Sequence, residues 1–140
     1  MGTLYLVATP IGNLEDISMR ALRILGEVSV IAAEDTRQTR KLLNHYGIST
    51  HAVSYHEFNK LSRIDVILEK LAEGDVALVS DAGTPGLNDP GYELVREVLA
   101  SGYKVSPIPG PSAPLAAMVS SGLPTDAFLY LGYLPRKTSE

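Results

Sequence analysis

The stretch VALVSDAGTPGLNDPGYELVREVLASG, residues 76–102, decides the fold. Val76–Ser80 is a short apolar run bounded by polar and glycine residues, which reads as a buried strand. From Pro90 onward the apolar side chains recur at helical spacing, with Asp89 placed to cap the helix, Pro90 near its first turn and Gly102 just past its end. The loop between them is dense in glycine and proline. Glycine permits positive φ and close backbone approach, while proline fixes φ and stiffens the chain. A simple turn needs neither in such number, so the loop reads as a rigid piece of main chain with a purpose. Within it, DAGTPGL is expected to face a ligand, and NDPG to cap and start the helix.

The same alternation runs outward in both directions. Thr3–Ala8, Val28–Ala33, His51–Tyr55 and Lys104–Ile108 are further strand candidates. Between them lie helical stretches: Ser18–Leu25 with Met19 and Leu22 at helical spacing and Gly26 as its cap, and Thr36–Tyr46 ending at Gly47. Residues 59–74 form the clearest helix, with Leu61, Ile64, Ile67, Leu68 and Leu71 recurring every three or four positions. Residues 111–122 are a helix of small side chains. Strands alternating with helices imply β-α-β crossovers, hence an α/β fold with a five-stranded, mainly parallel sheet flanked by helices. No linker is visible before Leu123. Residues 1–122 therefore read as one α/β domain. Residues 123–140, whose FLYLGYLPRKTSE (128–140) opens like a strand and turns basic after Pro135, read as a connection into a further domain.

Composition narrows the function classes. With 140 residues, 45% hydrophobic and 20% charged, the chain suits one globular domain. No apolar run is long enough to span a bilayer, and the N-terminus lacks the basic region of a signal peptide. The absence of cysteine excludes disulfides, thiolate catalysis and Cys-ligated zinc, and fits a cytoplasmic protein. A net charge of −4 argues against a non-specific nucleic-acid binder, though a local basic patch is compatible with it.

In a parallel sheet, ligands bind beyond the carboxyl ends of the strands. Three loops at that edge are rich in glycine and proline: ATPIGNLED (8–16), the loop after Ser80, and PIPGPSAP (107–114). Turning the chain accounts for any one of them; all three on one edge point to a pocket built of main chain. None contains G-x-G-x-x-G or a Walker A lysine, so neither a dinucleotide nor a triphosphate is the ligand they propose. At the end of the second strand, AEDTRQTRKLL (33–43) sets Glu34 and Asp35 side by side. Asp35 and Gln38 also suit a helix-capping box. Arg37, Arg40 and Lys41, with His45, share one helix face that could meet phosphates or simply be solvated. His45, His51 and His56 have no metal-ligand spacing, and the dispersed tyrosines read as core or rim packing.

Taken together, LYLVATPIGNLEDIS, AEDTR, VSDAGTPGLNDPG, PIPGPSA and LGYLPRK, in this order along the chain, resemble the tetrapyrrole methylase superfamily, and within it the ribosomal RNA small-subunit methyltransferase I branch. The tetrapyrrole-modifying members have a G-x-G-P-G-D-type first loop and a G-G-D-P fourth loop; here Thr84 stands in the acidic place, which points away from a corrin or porphyrin. The resemblance implies an S-adenosyl-L-methionine-dependent methyltransferase that acts on the ribose 2′-hydroxyl of a cytidine in 16S rRNA of the small ribosomal subunit. It implies a homodimeric cytoplasmic protein with no membrane segment and no metal. This chain would be its N-terminal domain, inactive alone because the cofactor cleft lies between two domains. By position, Pro10, Asp81, Ala82, Gly83, Thr84, Leu87, Ser112 and Ala113 would line the cofactor site. Arg37, Arg40 and Lys41 would meet RNA. A ribose hydroxyl needs a base or acceptor nearby, and Glu34, Asp35 and Asp81 stand as unranked candidates. A methylase of a small tetrapyrrole-like substrate and a non-catalytic α/β ligand-binding module are the alternatives.

Overall fold

The computed structural model describes residues 1–135. Five parallel strands form one sheet: β1 (Thr3–Val7), β2 (Val30–Ala33), β3 (Ala52–Ser54), β4 (Val76–Val79) and β5 (Lys104–Ile108), in the order β3-β2-β4-β1-β5. Five helices follow them: α1 (Met19–Glu27), α2 (Thr36–His45), α3 (Lys60–Glu73), α4 (Tyr92–Ala100) and α5 (Ala113–Ser120). A single 3-10 turn at Leu14–Asp16, held by the Asn13 side chain, lies in the first loop.

The period of two along each strand builds two cores. Val7, Ile31, Ala33, Ala77 and Val79 face α1 and α2. Leu4, Val30, Ala32, Val76 and Leu78 face α3 and α4, with the fully buried Tyr55 among them. The strands are apolar on both sides because both faces are covered, as a parallel sheet requires. Burying each Val or Leu of β4 from water contributes about 1.5–3 kcal/mol, so this central strand anchors the loop that follows it. At one edge β5 pairs only with β1, and its exposed Pro107 has no N–H to offer a further strand.

Topology fixes where a site can form. The chain leaving β1 goes to α1 on one face, and the chain leaving its neighbour β4 goes to α4 on the other. The adjacent C-terminal ends of β1 and β4 are therefore the point where connections diverge and a crevice opens.

Several boundaries differ from the sequence reading, each for a local reason. Gly26 lies inside α1, which ends on Val28 in extended backbone with its N–H bonded back to Ile24. Accordingly β2 starts at Val30. Met19 and Leu61 sit on the solvent side of their helices, because the buried faces centre on Ala21, Ile24 and Leu25 and on Ile64, Ile67 and Leu71. Asp89 and Pro90 do not start α4; Gly91 caps it at φ 151°. A Cβ there would stand 3.1 Å from Leu78 Cδ2 and 3.3 Å from Gly86 Cα, so the loop folds back too tightly for a side chain. The expected strand around Phe128–Gly132 does not form. Instead Gly132 turns at φ 79° against the Asn88 side chain, so this segment lies over the loop after β4. The basic tail from Arg136, including the end of LGYLPRK, lies outside the described residues.

Candidate functional site

Hydrogen bonds stitch the loops at the carboxyl edge into one wall. Thr9 and Gly83 exchange both of their amide–carbonyl bonds, each at 3.0 Å. The buried Thr9 hydroxyl donates to the Ser80 carbonyl at 3.3 Å. On the far side the Thr84 hydroxyl donates to the Pro111 carbonyl at 3.4 Å. Gly83 presents both of its backbone groups to Thr9 at φ 83°, where a side chain is strained. At Gly110 a Cβ would approach Ala8 Cβ to 3.0 Å, so the third loop also packs backbone against the first. The first, fourth and fifth strand ends thus act as one rigid unit.

This wall bounds a cavity of about 330 Å³. Ala82, Gly83, Thr84, Leu87, Ser112 and Ala113 line it, together with Ile11, Asp89, Tyr130 and Tyr133. Pro10 and Asp81 do not; they face a neighbouring cavity of about 260 Å³, with Lys41 and Thr39. Asp89, read from sequence as a structural cap, instead lines the larger cavity. Burial pushes its carboxyl up, aided by the charge of Asp81 and opposed by the Ser80 side chain. The visible hint was a carboxylate inside a glycine-proline loop at a ligand-facing edge. Tyr130 and Tyr133 carried no such signal, since they return to the wall from far along the chain.

A second clasp joins the loop after β2 to the loop after β4. The Asp81 N–H donates to Glu34 Oε2 at 3.2 Å, and the Asp35 N–H donates to Asp81 Oδ1 at 3.0 Å. Asp81 thereby takes the amide bond that a capping box would have given to Gln38. Asp35 does cap α2, accepting from the Arg37 N–H at 2.9 Å. Its two oxygens also receive the Arg37 guanidinium, Nε at 3.1 Å and Nη2 at 2.9 Å. That fork holds the Asp35 carboxyl down at about 2.

Glu34 is moved the other way. Burial raises it first, the Asp81 amide opposes this, and the charges of Asp81, Asp89 and Asp35 raise it further. Of the adjacent pair, Glu34 is therefore the one shifted toward taking up a proton, while Asp35 is locked as an anion. The basic residues are not brought together. Arg37 is forked onto Asp35, Lys41 borders the cavity with Pro10, and Arg40 lies with Asn44 and His51 along a separate depression. Among the described residues no three His, Asp or Glu side chains converge as metal ligands.

The chain is 56% identical over 140 residues to the ribosomal RNA small subunit methyltransferase I of Halalkalibacterium halodurans, covering 99% of this chain and 48% of that one. It is 54% identical over 138 residues to the protein of the same name from Synechocystis, covering 98% and 50%. The chain thus spans about half the length of the curated relatives it matches. Among solved structures, the native form of uroporphyrin III C-methyltransferase from Thermus thermophilus superposes with a TM-score of 0.65 at 26% identity, covering 88% of this chain and 53% of that one. The family described as tetrapyrrole (corrin/porphyrin) methylases matches residues 3–138. With a family match over residues 3–138 and a fold shared with a solved methyltransferase, the chain belongs to the tetrapyrrole (corrin/porphyrin) methylases.

Proposed function

We propose that this chain is the N-terminal, cofactor-holding half of an S-adenosylmethionine-dependent enzyme that methylates the ribose 2′-hydroxyl of a cytidine in 16S rRNA. The observation that carries the reading is the wall of three stitched loops around the cavity of about 330 Å³. Its chemistry fits the donor. Main-chain groups and the Thr84 and Ser112 hydroxyls suit a polar amino-acid end and adenine edges, Ile11 and Leu87 offer apolar contact, and the Asp89 carboxylate suits a cation. Bound there, S-adenosylmethionine would supply a methyl group on a sulfonium for in-line transfer to an oxygen. Identities above 50% to rRNA methyltransferases support the choice of RNA over a tetrapyrrole. So does Thr84 in the place where the tetrapyrrole-modifying members carry an acid.

The protein's part is mainly positioning. Asp81 links the donor wall to the loop after β2, and Glu34 stands on the far side of that link. Glu34 Oε2 is engaged by the Asp81 amide, which leaves Oε1 to accept the proton of a ribose hydroxyl. Asp35 serves as cap and as the partner that orients Arg37. Residues after Gly122 connect to the second half, which closes the cleft, so the first 140 residues alone bind the donor weakly and transfer no methyl group. The full-length enzyme is a cytoplasmic homodimer; among the described residues no helix is long and apolar enough to cross a membrane.

Calorimetric titration of the full-length protein with S-adenosylmethionine, S-adenosylhomocysteine and NAD tests the donor. Labelled methyl transfer to small ribosomal subunits, set against a uroporphyrinogen, tests the acceptor. Binding of both adenosyl ligands and transfer to rRNA alone are expected. Failure to bind either adenosyl ligand overturns the methylase reading, and transfer to the tetrapyrrole alone overturns the RNA reading.

A further inference from the structure

Beyond Glu34, on the side away from the donor wall, lies a separate cavity of about 410 Å³ at the ends of β2 and β3. Glu34 and the Asp35–Arg37 pair line one side, and Ser54, His56, Glu57 and Phe58 the other. Three features mark it as built. Phe58 is 97% exposed, although Tyr55 of the same loop is fully buried. His56 stands edge-on to that ring, centroids 6.0 Å apart, with Nδ1 buried and without a hydrogen-bond partner. The loop that carries both is held in place: the His56 N–H donates to Asn59 Oδ1 at 2.8 Å, and Asn59 Nδ2 donates to Ser54 Oγ at 2.8 Å. A single exposed aromatic is ordinary on a protein surface. One carried on a hydrogen-bonded loop beside a buried, unpartnered imidazole nitrogen and the Glu34 carboxylate is a stacking platform with a polar edge.

We propose that this cavity takes one unstacked nucleobase of the RNA, stacked on Phe58, with its amino edge toward the carboxylate side. The inference rests on the RNA reading above. Asp35 is taken by Arg37 and Glu34 Oε2 by the Asp81 amide, so Glu34 Oε1 is the carboxylate oxygen left to accept from an exocyclic amine such as cytosine N4 and to repel the carbonyl that uracil carries in its place. The cavity therefore prefers cytosine, as a neighbour of the nucleotide whose ribose reaches Glu34. Base stacking on an aromatic side chain is sequence-tolerant, so Phe58 supplies affinity and the acidic side supplies the choice of base. His56 stands edge-on against the platform and borders the cavity.

The test uses the full-length protein, fluorescent single-stranded oligoribonucleotides and anisotropy titration. Phe58→Ala should weaken binding of a cytidine-containing oligonucleotide by about tenfold or more, while Phe58→Trp retains it. The wild-type preference for cytidine over uridine at one position should be several-fold. S-adenosylmethionine affinity should be unchanged in both variants, since Phe58 lies outside the donor wall. Equal RNA affinity in wild type and Phe58→Ala, or no cytidine preference, overturns the pocket and leaves the methylase reading standing. Loss of adenosyl-ligand binding by the wild type defeats the reading beneath it, a different and separable result.

Discussion

Gly83→Ala asks how much of the donor wall depends on one backbone conformation. Gly83 sits at φ 83° and Gly102, at the surface end of α4, sits at φ 79°. A Cβ on Gly83 would meet Ile11 Cγ2 at 3.5 Å and Pro111 O at 3.9 Å, ordinary contacts, and one on Gly102 would meet nothing within 4 Å. Steric overlap is therefore absent at both, and left-handed backbone strain of roughly 1–2 kcal/mol is what alanine adds. At Gly83 the strain has an escape, a rotation to negative φ. That rotation breaks the paired bonds to Thr9, at roughly 1 kcal/mol each. Keeping the strain and breaking the pair cost nearly the same, so the loss of stability is capped near 2 kcal/mol either way.

Urea unfolding should then show Gly83→Ala and Gly102→Ala destabilised alike, within about 1 kcal/mol of each other. Their ligand behaviour should diverge: only Gly83→Ala weakens S-adenosylmethionine binding, because it either breaks the Thr9–Gly83 seam beneath the cavity or, with the seam kept, adds a methyl group beside Ile11 in the cavity wall. If neither variant lost stability, the left-handed argument would be refuted. If Gly83→Ala lost stability but bound the donor as tightly as wild type, the seam would not be part of the donor site.

Two further perturbations probe the scaffold and the acid cluster. Gly2→Ala would drive a Cβ into the Gly74 carbonyl and set it 2.8 Å from Leu71 O, with backbone on both sides, and should cost about 3 kcal/mol or more in urea unfolding; a loss below about 1 kcal/mol would contradict that contact. Glu34→Gln should stabilise the protein at pH 7 and have no such effect near pH 4, read from urea midpoints at both. The sign follows from the raised carboxyl: the folded state holds the proton more tightly than the unfolded one, whose value is near 4.5, so stability falls as pH rises from there through the folded value. The same variant should slow methyl transfer while leaving donor affinity intact, and destabilisation at pH 7 would show that the Asp81 contact outweighs the relieved repulsion.

The fold was legible because its signals are local. A period of two in Leu4–Val7 and a period of three to four in Ile64–Leu71 each follow from which face meets a core, and the run of strand, loop and helix then permits few topologies. The glycine-proline loops were legible as a group because strand ends in a parallel sheet converge on one edge. What composition hid was every partnership across the loops. Nothing near Gln38 reveals that Asp81 will take the Asp35 amide. Nothing near Asp89 reveals that Gly91, pressed against Leu78 and Gly86, will displace it from the cap and leave its carboxyl in the cavity wall. Local preference assigned Asp89 to the commonest job of an aspartate before Pro-Gly, and tertiary packing overrode it.

The same cross-loop contacts explain why one carboxylate can serve two sides of the site. Asp35 is committed, both oxygens occupied by its own helix and by Arg37. Asp81 is committed between the amide it offers to Glu34 and the one it accepts from Asp35. Asp89 lines the cavity of about 330 Å³. Glu34 alone spends one oxygen on the loop of the donor wall while its side chain borders the cavity of Phe58. A shift of the loop after β4 therefore moves Glu34, and a nucleobase seated against Phe58 would bring the RNA chain to the same residue. On the proposed reading, coupling of donor and acceptor would need no relay beyond the amide of Asp81, and RNA affinity should rise when S-adenosylhomocysteine is bound only while Glu34 keeps that contact.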